Sequence, residues 1–468
     1  MCPSMQCVVA FLCAVLGSEA SIANVTVQMS QQGVTKLCEY SMKSLEKNME
    51  TIVLPDQEGT QDRIFFSFGY TLSGIQGQEA SFSGYNVRFI QDYGITLSIS
   101  KCNMKFRGNW AVHTFFSNTR GTFVLNVKDI STVITVKVTK DDTGNPSLKM
   151  LSCSCSGGGL DVELSGPNSM VYQMFARQGA ESMRGVMDSK TCNEAKKVIA
   201  AVEKELKSMQ VSDCFDPNIQ PHASMKNDPK ITSKYIDFRY QVTFKDNSYP
   251  CSTAIPSKKV SLPSESKSML SITVPESTVN IAVCASVTSR PLKQNITDDM
   301  VSEQDQELLK KALMDAIPEM DEKYRNMKTV TELDPKPPTV TCLPGEIHVT
   351  IPVTITCHGI LSSSEEKFLF RVNLTVKSTG ELMDSAAGIT ASLGPARVHL
   401  LRIQSDVGTF QGATFQQWIE NVPIRLMMSS VNAVLGHGMK VPSYAHMPWK
   451  NTTVSSSQGY LILTADMQ

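Results

Sequence analysis

The sequence predicts an α+β chain in which long, half-buried antiparallel strands are bracketed by amphipathic helices, an order that occurs twice. Three observations carry this: extended runs of apolar/polar alternation, apolar stripes at helical spacing, and a proline-rich stretch near mid-chain.

The strands are the clearest signal. Ile347, Val349, Ile351, Val353 and Ile355 alternate with His348, Thr350, Pro352, Thr354 and Thr356. Ile95, Leu97 and Ile99 alternate with Thr96 and Ser98, and Leu160, Val162 and Leu164 with Asp161 and Glu163. Such strands keep one face on an apolar interior and one in water. Phe123, Leu125 and Val127 give way to Ile134, Val136 and Val138, so the buried face switches near Asp129-Ile130. That switch predicts a bulge or strong bend. Pro352, which has no N–H to donate, predicts an edge or a bulge at that point.

Helical stripes flank these strands. Over 34–52 the apolar set is Val34, Leu37, Cys38, Met42, Leu45, Met49 and Ile52, closed by Leu54-Pro55-Asp56. Residues 170–209 carry Val171, Met174, Phe175, Met183, Val186, Met187, Val198, Ile199, Val202, Leu206 and Met209. Glu203 and Lys207 form a favourable i,i+4 pair on its polar side. In the second half one stripe is Leu308, Leu309, Ala312, Leu313, Ala316 and Ile317. Another is Phe415, Trp418, Ile419, Val422, Leu426 and Val431, interrupted by Pro423, which should kink it. The stretch from about 215 to 262, with Pro217, Pro221, Pro229, Pro250 and Pro256, marks the domain junction. No sequence-level repeat accompanies the repeated order of elements.

At 468 residues the chain is too long for one ordinary core and long enough for two or three domains. Apolar residues make up 41% and charged residues 19%, which describes a folded soluble protein rather than a disordered one. A net charge of −1 disfavours a nucleic-acid binder, whose affinity needs concentrated positive charge.

Residues 7–17 form an apolar run too short to span a bilayer, followed by small residues that allow cleavage after Ala20 or Ala23. We read this as a secretory signal, although it lacks the usual preceding basic residue. No later stretch is long and apolar enough to predict a membrane anchor, so the chain is expected to be secreted and extracellular. Of 13 cysteines, Cys2, Cys7 and Cys13 would leave with the signal. Four sequons, at Asn24, Asn295, Asn373 and Asn451, are candidate glycosylation sites. In the strand at 368–376, Asn373 falls on the polar face with Arg371 and Thr375, where a glycan could be attached.

The search for catalytic signatures is nearly empty. The seven histidines include no HExxH, and no GxSxG elbow, P-loop or dinucleotide fingerprint is present. Gly157-Gly158-Gly159 and Gly436-His437-Gly438 read as turns, and Asp141-Asp142 as part of a solvated loop. Cys153-Ser154-Cys155 suits disulfide chemistry better than zinc. An enzyme is therefore not expected, and neither metal nor cofactor. What remains is apolar surface, with 24 methionines concentrated in helix stripes. A Met stripe is more often core than pocket. Even so, burying an acyl chain is worth about 0.8 kcal/mol per methylene, on the order of 10 kcal/mol gross for one chain.

In order along the chain, the residues resemble one family. The set runs from Val27-Gln-Met-Ser-Gln-Gln-Gly33 through Leu54-Pro55-Asp56, Gly94-Ile-Thr-Leu-Ser-Ile-Ser and Lys105-Phe-Arg-Gly-Asn-Trp110 to Cys155 and the helix bearing Cys192. It continues with 368–381, Ser405-Asp-Val-Gly-Thr-Phe410 and Leu463-Thr-Ala-Asp466. This is similar to the family of bactericidal permeability-increasing protein, lipopolysaccharide-binding protein and the plasma lipid-transfer proteins. The resemblance implies two elongated antiparallel barrels, each packed on long helices and joined by a central sheet into a boomerang-shaped, tubular lipid-binding fold. It divides the chain into a signal peptide (1–20), an N-terminal barrel (21–230), a Pro-rich linker and central sheet (231–262) and a C-terminal barrel (263–468). It also implies an apolar phospholipid pocket in each barrel and a strand-to-helix disulfide, for which Cys155–Cys192 is the best match by position and Cys153 the other candidate.

Within that frame the expected lining is Leu45, Met49, Met174 and Phe175 in the first barrel, and Leu309, Leu313, Trp418 and Ile419 in the second. The expected partners are phospholipids, with lipopolysaccharide or the bacterial outer membrane as a further possibility, and the expected role is innate defence against Gram-negative bacteria. The alternatives are a phospholipid-transfer protein and a structural matrix or egg-envelope component with vestigial pockets. One departure stands out. The endotoxin-binding members carry a basic tip, whereas here the tip stretches read Gln57-Glu-Gly-Thr-Gln-Asp62-Arg63 and Asn109-Trp-Ala-Val-His-Thr-Phe-Phe-Ser-Asn-Thr-Arg120. Few cations face the phosphates of lipid A there, which argues against strong endotoxin binding.

Overall fold

The computed structural model describes residues 23–62, 67–114, 118–208, 221–244, 268–289, 293–297, 303–320, 327–360, 366–385, 388–436 and 449–467. The signal segment and about half of the proline-rich junction lie outside them. The first half contains β1 (Ala23–Ser30), α1 (Gln31–Glu50), β2 (Val53–Leu54), β3 (Gln57–Asp62), β4 (Ser67–Ile90), β5 (Gly94–His113), β6 (Asn118–Lys140), β7 (Pro146–Ser165) and α2 (Ser169–Ser208). Then come β8 (Pro221–Met225), β9 (Lys230–Ile231), β10 (Tyr235–Phe244), β11 (Leu270–Pro275), α3 (Glu276–Ser289), β12 (Gln294–Thr297) and α4 (Glu303–Ala316). The remainder is β13 (Lys328–Pro335), β14 (Thr339–Leu343), β15 (Glu346–Ile360), β16 (Glu366–Ser385), β17 (Gly388–Leu393), β18 (Arg397–Ser405), α5 (Gly412–Ile419), α6 (Arg425–Leu435), β19 (Trp449–Ser457) and β20 (Tyr460–Met467). Among the described residues all the pairings are antiparallel, and the α+β class is as the sequence predicts.

The first sheet runs β2-β4-β5-β6-β7, with β3 also on β4. Its four long strands have 20 to 24 residues each, far beyond the usual five or six. Strands this long must bend, and the bends are visible. Asp129 has φ 57°, drops out of the pairing on both sides, and gives its N–H to Asn103 Oδ1 at 2.9 Å. This is the bulge that the face switch predicts. Gly157 and Gly158, read as a turn from sequence, instead lie inside β7 opposite that bulge, both with φ near +70°. A Cβ on Gly158 would sit 2.6 Å from Lys128 O, so only glycine lets the strands close there. The curled sheet forms a half-barrel. Phe82, Ile99, Phe106, Leu125 and Ile134 from its strands share one core with Leu45 and Met49 of α1 and Met183 and Met187 of α2.

Helix α2 closes the free edge at β7. Gln173 Oε1 accepts from Leu164 N at 2.9 Å, and its Nε2 donates to Val162 O. Arg184 donates to Gly157 O at 2.6 Å and to Gly158 O. Cys192 is disulfide-bonded to Cys153, and Glu203 Oε2 accepts from Leu148 N at 2.8 Å. Helix numbers rise as strand numbers fall, so the two elements run antiparallel. From 173 to 203 the helix advances about 45 Å, and from 163 to 148 the strand advances about 50 Å. The matched rises explain why one helix can serve the whole edge.

The same geometry corrects the expected disulfide. The bond is Cys153–Cys192, with Cα atoms 5.8 Å apart, and Cys155 is a free thiol. Two strand residues span about 6.6 Å, slightly more than one helical turn, so Cys155 faces the level of Asp188, one turn before Cys192. The Asp188 carboxylate and, more strongly, burial push the Cys155 thiol upward. Cys284 is also disulfide-bonded.

The central sheet runs β19-β20-β11-β1-β10-β8, with β9 on β10. It joins β1 to the final strand through β11: Thr26 faces Thr273, which faces Ile462. Ser30 caps α1 by accepting from Gly33 N at 3.2 Å, and Ser30 N donates to Met269 O at 3.0 Å. A Cβ on Gly33 would meet that same carbonyl at 2.7 Å, so the first turn of α1 lies tight against the sheet.

The third sheet runs β12-β13-β15-β16-β17, with β14 on β15 and β18 on β16. The alternating residues 347–355 are buried as predicted. On β16 a register shift opposite Cys357/His358 buries both Leu369 and Phe370, while Phe368 is only half-buried. Pro352 is paired with β16 and lies where β13 has ended and β14 has not begun, so no ladder donor is needed from it. Pro423 sits in a five-residue π-helical turn, Glu420–Ile424, between α5 and α6, which is the predicted interruption. Helix α3 was not legible in the sequence. Its apolar residues are interspersed with small polar ones and form no single stripe, and its buried Asn280 exchanges two hydrogen bonds with the backbone of Val340.

Two outcomes follow from the β7–α2 seam. Cys192→Ser should cost about 2–4 kcal/mol in urea unfolding, whereas Cys155→Ser should leave the disulfide intact in a non-reduced peptide map. The turn at Asp141 matches its sequence reading: its carboxylate accepts from Thr143 and Asn145 and pairs with Lys207, which also pairs with Glu203 at 2.7 Å. The Thr143 hydroxyl foremost, then the Asn145 N–H, holds the Asp141 carboxyl below the usual carboxylate range. A depressed carboxylate stabilises above its unfolded pKa and loses that contribution as pH falls through the folded value. The destabilisation caused by Asp141→Asn should therefore be largest near neutrality and shrink on acidification, read by urea midpoints across the acid range.

Candidate lipid pocket

At one end of the first sheet the strands and α2 enclose an apolar cavity of about 60 Å³. Its sheet wall is Phe68, Tyr70 and Leu72 of β4, Trp110, Ala111 and Val112 of β5, Phe123 and Leu125 of β6, and Val162 and Leu164 of β7. Its helix wall is Tyr172, Ala176, Ala180 and Met183, spaced i, i+4, i+8 and i+11 along one face of α2. The two alanines leave room where larger side chains would fill the gap between helix and sheet.

Trp110 fixes this corner. Its Nε1–H donates to Thr122 O at 3.1 Å and to Ser165 O at 3.2 Å, so the one polar atom of the indole is satisfied by β6 and β7. Its ring packs against Tyr172 at 5.6 Å between centroids, and Tyr172 also meets Phe68 at 6.1 Å. Gly121, paired with Trp110, is required there. A Cβ at that position would lie 2.8 Å from the indole nitrogen and 2.0 Å from Ser165 O. Among the described residues the wall contains no charged side chain. A volume of 60 Å³ is under half of the roughly 150 Å³ that admits benzene in an apolar protein cavity.

The residues expected from sequence fall differently. Leu45 and Met49, each 1% exposed, belong to the buried face of α1 and are not in the cavity wall. The side chains of Met174, Phe175 and Leu309 lie outside the described residues. Leu313, Trp418 and Ile419 are buried in the core of the third sheet. There Trp418 stacks on Phe415 at 5.8 Å and meets Phe370 at 6.1 Å. Sequence reasoning therefore identified the helix that walls the cavity, while Leu45 and Met49 lie outside that wall. The available signal was the Tyr172/Ala176/Ala180/Met183 stripe, inconspicuous because two of its members are alanine. Of the sequon residues, Asn24, Asn295 and Asn451 are exposed, and Asn373 is half-buried, accepting from Thr354 Oγ1 at 3.2 Å.

Among the described residues no group of three or more His, Cys, Asp or Glu side chains could hold a metal ion. Burial pushes the thiol of Cys38 up to about 12 and those of Cys102 and Cys342 up to about 11, which makes each a poor nucleophile at neutral pH. No described helix is long and apolar enough to cross a membrane.

Comparison with known proteins agrees with this architecture. Residues 33–209 match the model of the LBP / BPI / CETP family, N-terminal domain, and residues 219–468 that of the C-terminal domain. The bactericidal permeability-increasing protein of Sebastes schlegelii is 24% identical over 453 residues, covering 95% of each chain. The lipopolysaccharide-binding protein of Mus musculus is 24% identical over 452 residues, covering 95% of this chain and 93% of its own. A crystal structure of lipopolysaccharide binding protein superposes with a TM-score of 0.63 at 23% identity, covering 95% of this chain and 99% of that one, and so shares the fold. Matched by both domain models in order, the chain belongs to the LBP / BPI / CETP family.

Proposed function

We propose that this is a secreted lipid-binding protein that holds acyl chains of phospholipid, or of lipid A, in apolar pockets and serves defence against Gram-negative bacteria. The observation that carries the reading is the uncharged cavity between α2 and the first sheet. Family membership supports it, as do the names of the relatives, one bactericidal and one lipopolysaccharide-binding. The protein is not an enzyme, in keeping with a family of non-catalytic lipid-transfer proteins. The apolar run at 7–17, a disulfide and four sequons support secretion and glycosylation. On this reading the half-barrel and the third sheet each close into a barrel on either side of the central sheet. The division is 1–20 as signal, 21–230 and 263–468 as barrels, and 231–262 as junction. A counterpart pocket would then lie near Leu313, Trp418 and Ile419.

Purified secreted protein, extracted with organic solvent and analysed by mass spectrometry, should yield phospholipid at one or two molecules per chain. Lipid-free protein that takes up no added phospholipid would overturn the proposal. Ala180→Phe, which fills the cavity, should lower loading by about one lipid per chain. Its overpacking should cost about 1–3 kcal/mol, so loading is read on protein whose urea transition shows it folded.

A further inference from the structure

We propose that the outer face of β16 and β18 binds a linear sulfated polysaccharide along a strip of four cations, Arg371 and Lys377 of β16 with Arg397 and Arg402 of β18. The strip belongs to the third sheet, shares no residue with the cavity and goes beyond the lipid reading. On β16 the residues Phe370, Val372, Leu374 and Val376 are buried, so Arg371, Asn373, Thr375 and Lys377 alternate with them on the opposite face. The pairing register sets Arg397 across from Lys377, His399 across from Thr375, and Arg402 across from Asn373. All four cations are exposed. None forms an ion pair among the described residues, and the carboxylates of Glu332 and Asp334 on the same face are taken by Lys293 and Lys336.

Two features set the strip apart from ordinary solvated surface. Like charges directly opposite each other are unfavourable across a strand pair, yet Lys377 and Arg397 stand so. Arg371 is held in position: its Nε donates to Thr356 Oγ1 at 3.3 Å, and its guanidinium carbon lies 5.9 Å from the centroid of the Phe368 ring. The cations form two couples, Lys377 with Arg397 and Arg371 with Arg402, about 16 Å apart along the strands. A small anion reaches one couple, whereas a chain with charges at regular intervals reaches both. The strip is two strands, about 5 Å, across. On the next strand, β15, the residues on this face are Thr350, Pro352, Thr354 and Thr356, and β13 beyond it contributes Glu332 and Asp334. Cations bordered by a neutral strand and then an acidic one suit a rod-like polyanion, not a broad anionic plane such as a bilayer. Three of the four charges are arginines, whose planar fork matches the oxygens of sulfate esters. Among the described residues no exposed aromatic ring lies on the strip to stack a base, which disfavours a single-stranded nucleic acid.

Fluorescence anisotropy with a labelled heparin oligosaccharide, a linear sulfated probe, tests this on the full secreted protein. Binding should weaken on the order of a hundredfold between about 0.05 M and 0.2 M salt, as about four neutralised charges require. Lys377→Gln/Arg397→Gln should bind at least about fivefold more weakly, with an unchanged or raised melting temperature because a repulsive pair is gone. Lys137→Gln/Lys149→Gln, which removes the exposed like-charge pair of β6 and β7, should bind as wild type does. The sequon residue Asn373 lies within the strip, so Thr375→Val is measured in parallel: it removes the glycosylation signal and leaves Asn373 in place. Binding gained by Thr375→Val supports the strip and shows a glycan covering it. Absence of binding by both wild type and Thr375→Val would overturn the proposal, as would undiminished binding by Lys377→Gln/Arg397→Gln. So would tighter binding to a single-stranded oligonucleotide of equal charge, or binding to phosphatidylglycerol vesicles with none to heparin, since the occupant would then be of another class.

Discussion

Everything in the first half of the molecule hangs on the seam between β7 and α2. A sheet of strands 20 or more residues long leaves an equally long edge of unpaired N–H and C=O groups. Here one 40-residue helix runs antiparallel along that edge and meets it with an amide, a guanidinium, a disulfide and a carboxylate at successive levels. Each contact is a hydrogen bond or covalent tie to the strand backbone or its side chain, so the helix cannot slide without breaking several at once. The cavity is a consequence of the seam: it lies where α2, held by Gln173 and Arg184, spans the curl of the sheet and presents alanines to it.

The same chemical device recurs where helices meet strands elsewhere. Asn280 of α3 trades both amide groups with the backbone of Val340, and Asn432 of α6 does so with Leu393, as Gln173 does with Val162 and Leu164. A side-chain amide carries the donor and acceptor of a peptide unit, so it can stand in for one residue of a missing strand. The central sheet adds the global constraint. With β1 and β20 both linked to β11, the beginning and end of the folded chain are fixed in one layer.

The cavity suits a ligand recognised by shape and apolarity. The indole N–H of Trp110 is already satisfied by two carbonyls.

Much of the architecture was legible in the residues. Alternation in β5, β6 and β15, the helix over 169–208, the Pro423 interruption and the bulge at Asp129 each follow from side-chain periodicity or from one residue's backbone chemistry. Periodicity is local, and it reports which face of an element is buried without saying what covers it. Cys153 and Cys155 therefore both looked fit to pair with Cys192. That choice depends on the level at which α2 lies along β7. That level is set by the 1.5 Å rise of a helix against the roughly 3.3 Å rise of a strand, and by contacts between residues far apart in the chain. The sequence by itself determined the elements and their buried faces; tertiary structure alone decided which buried face surrounds empty space.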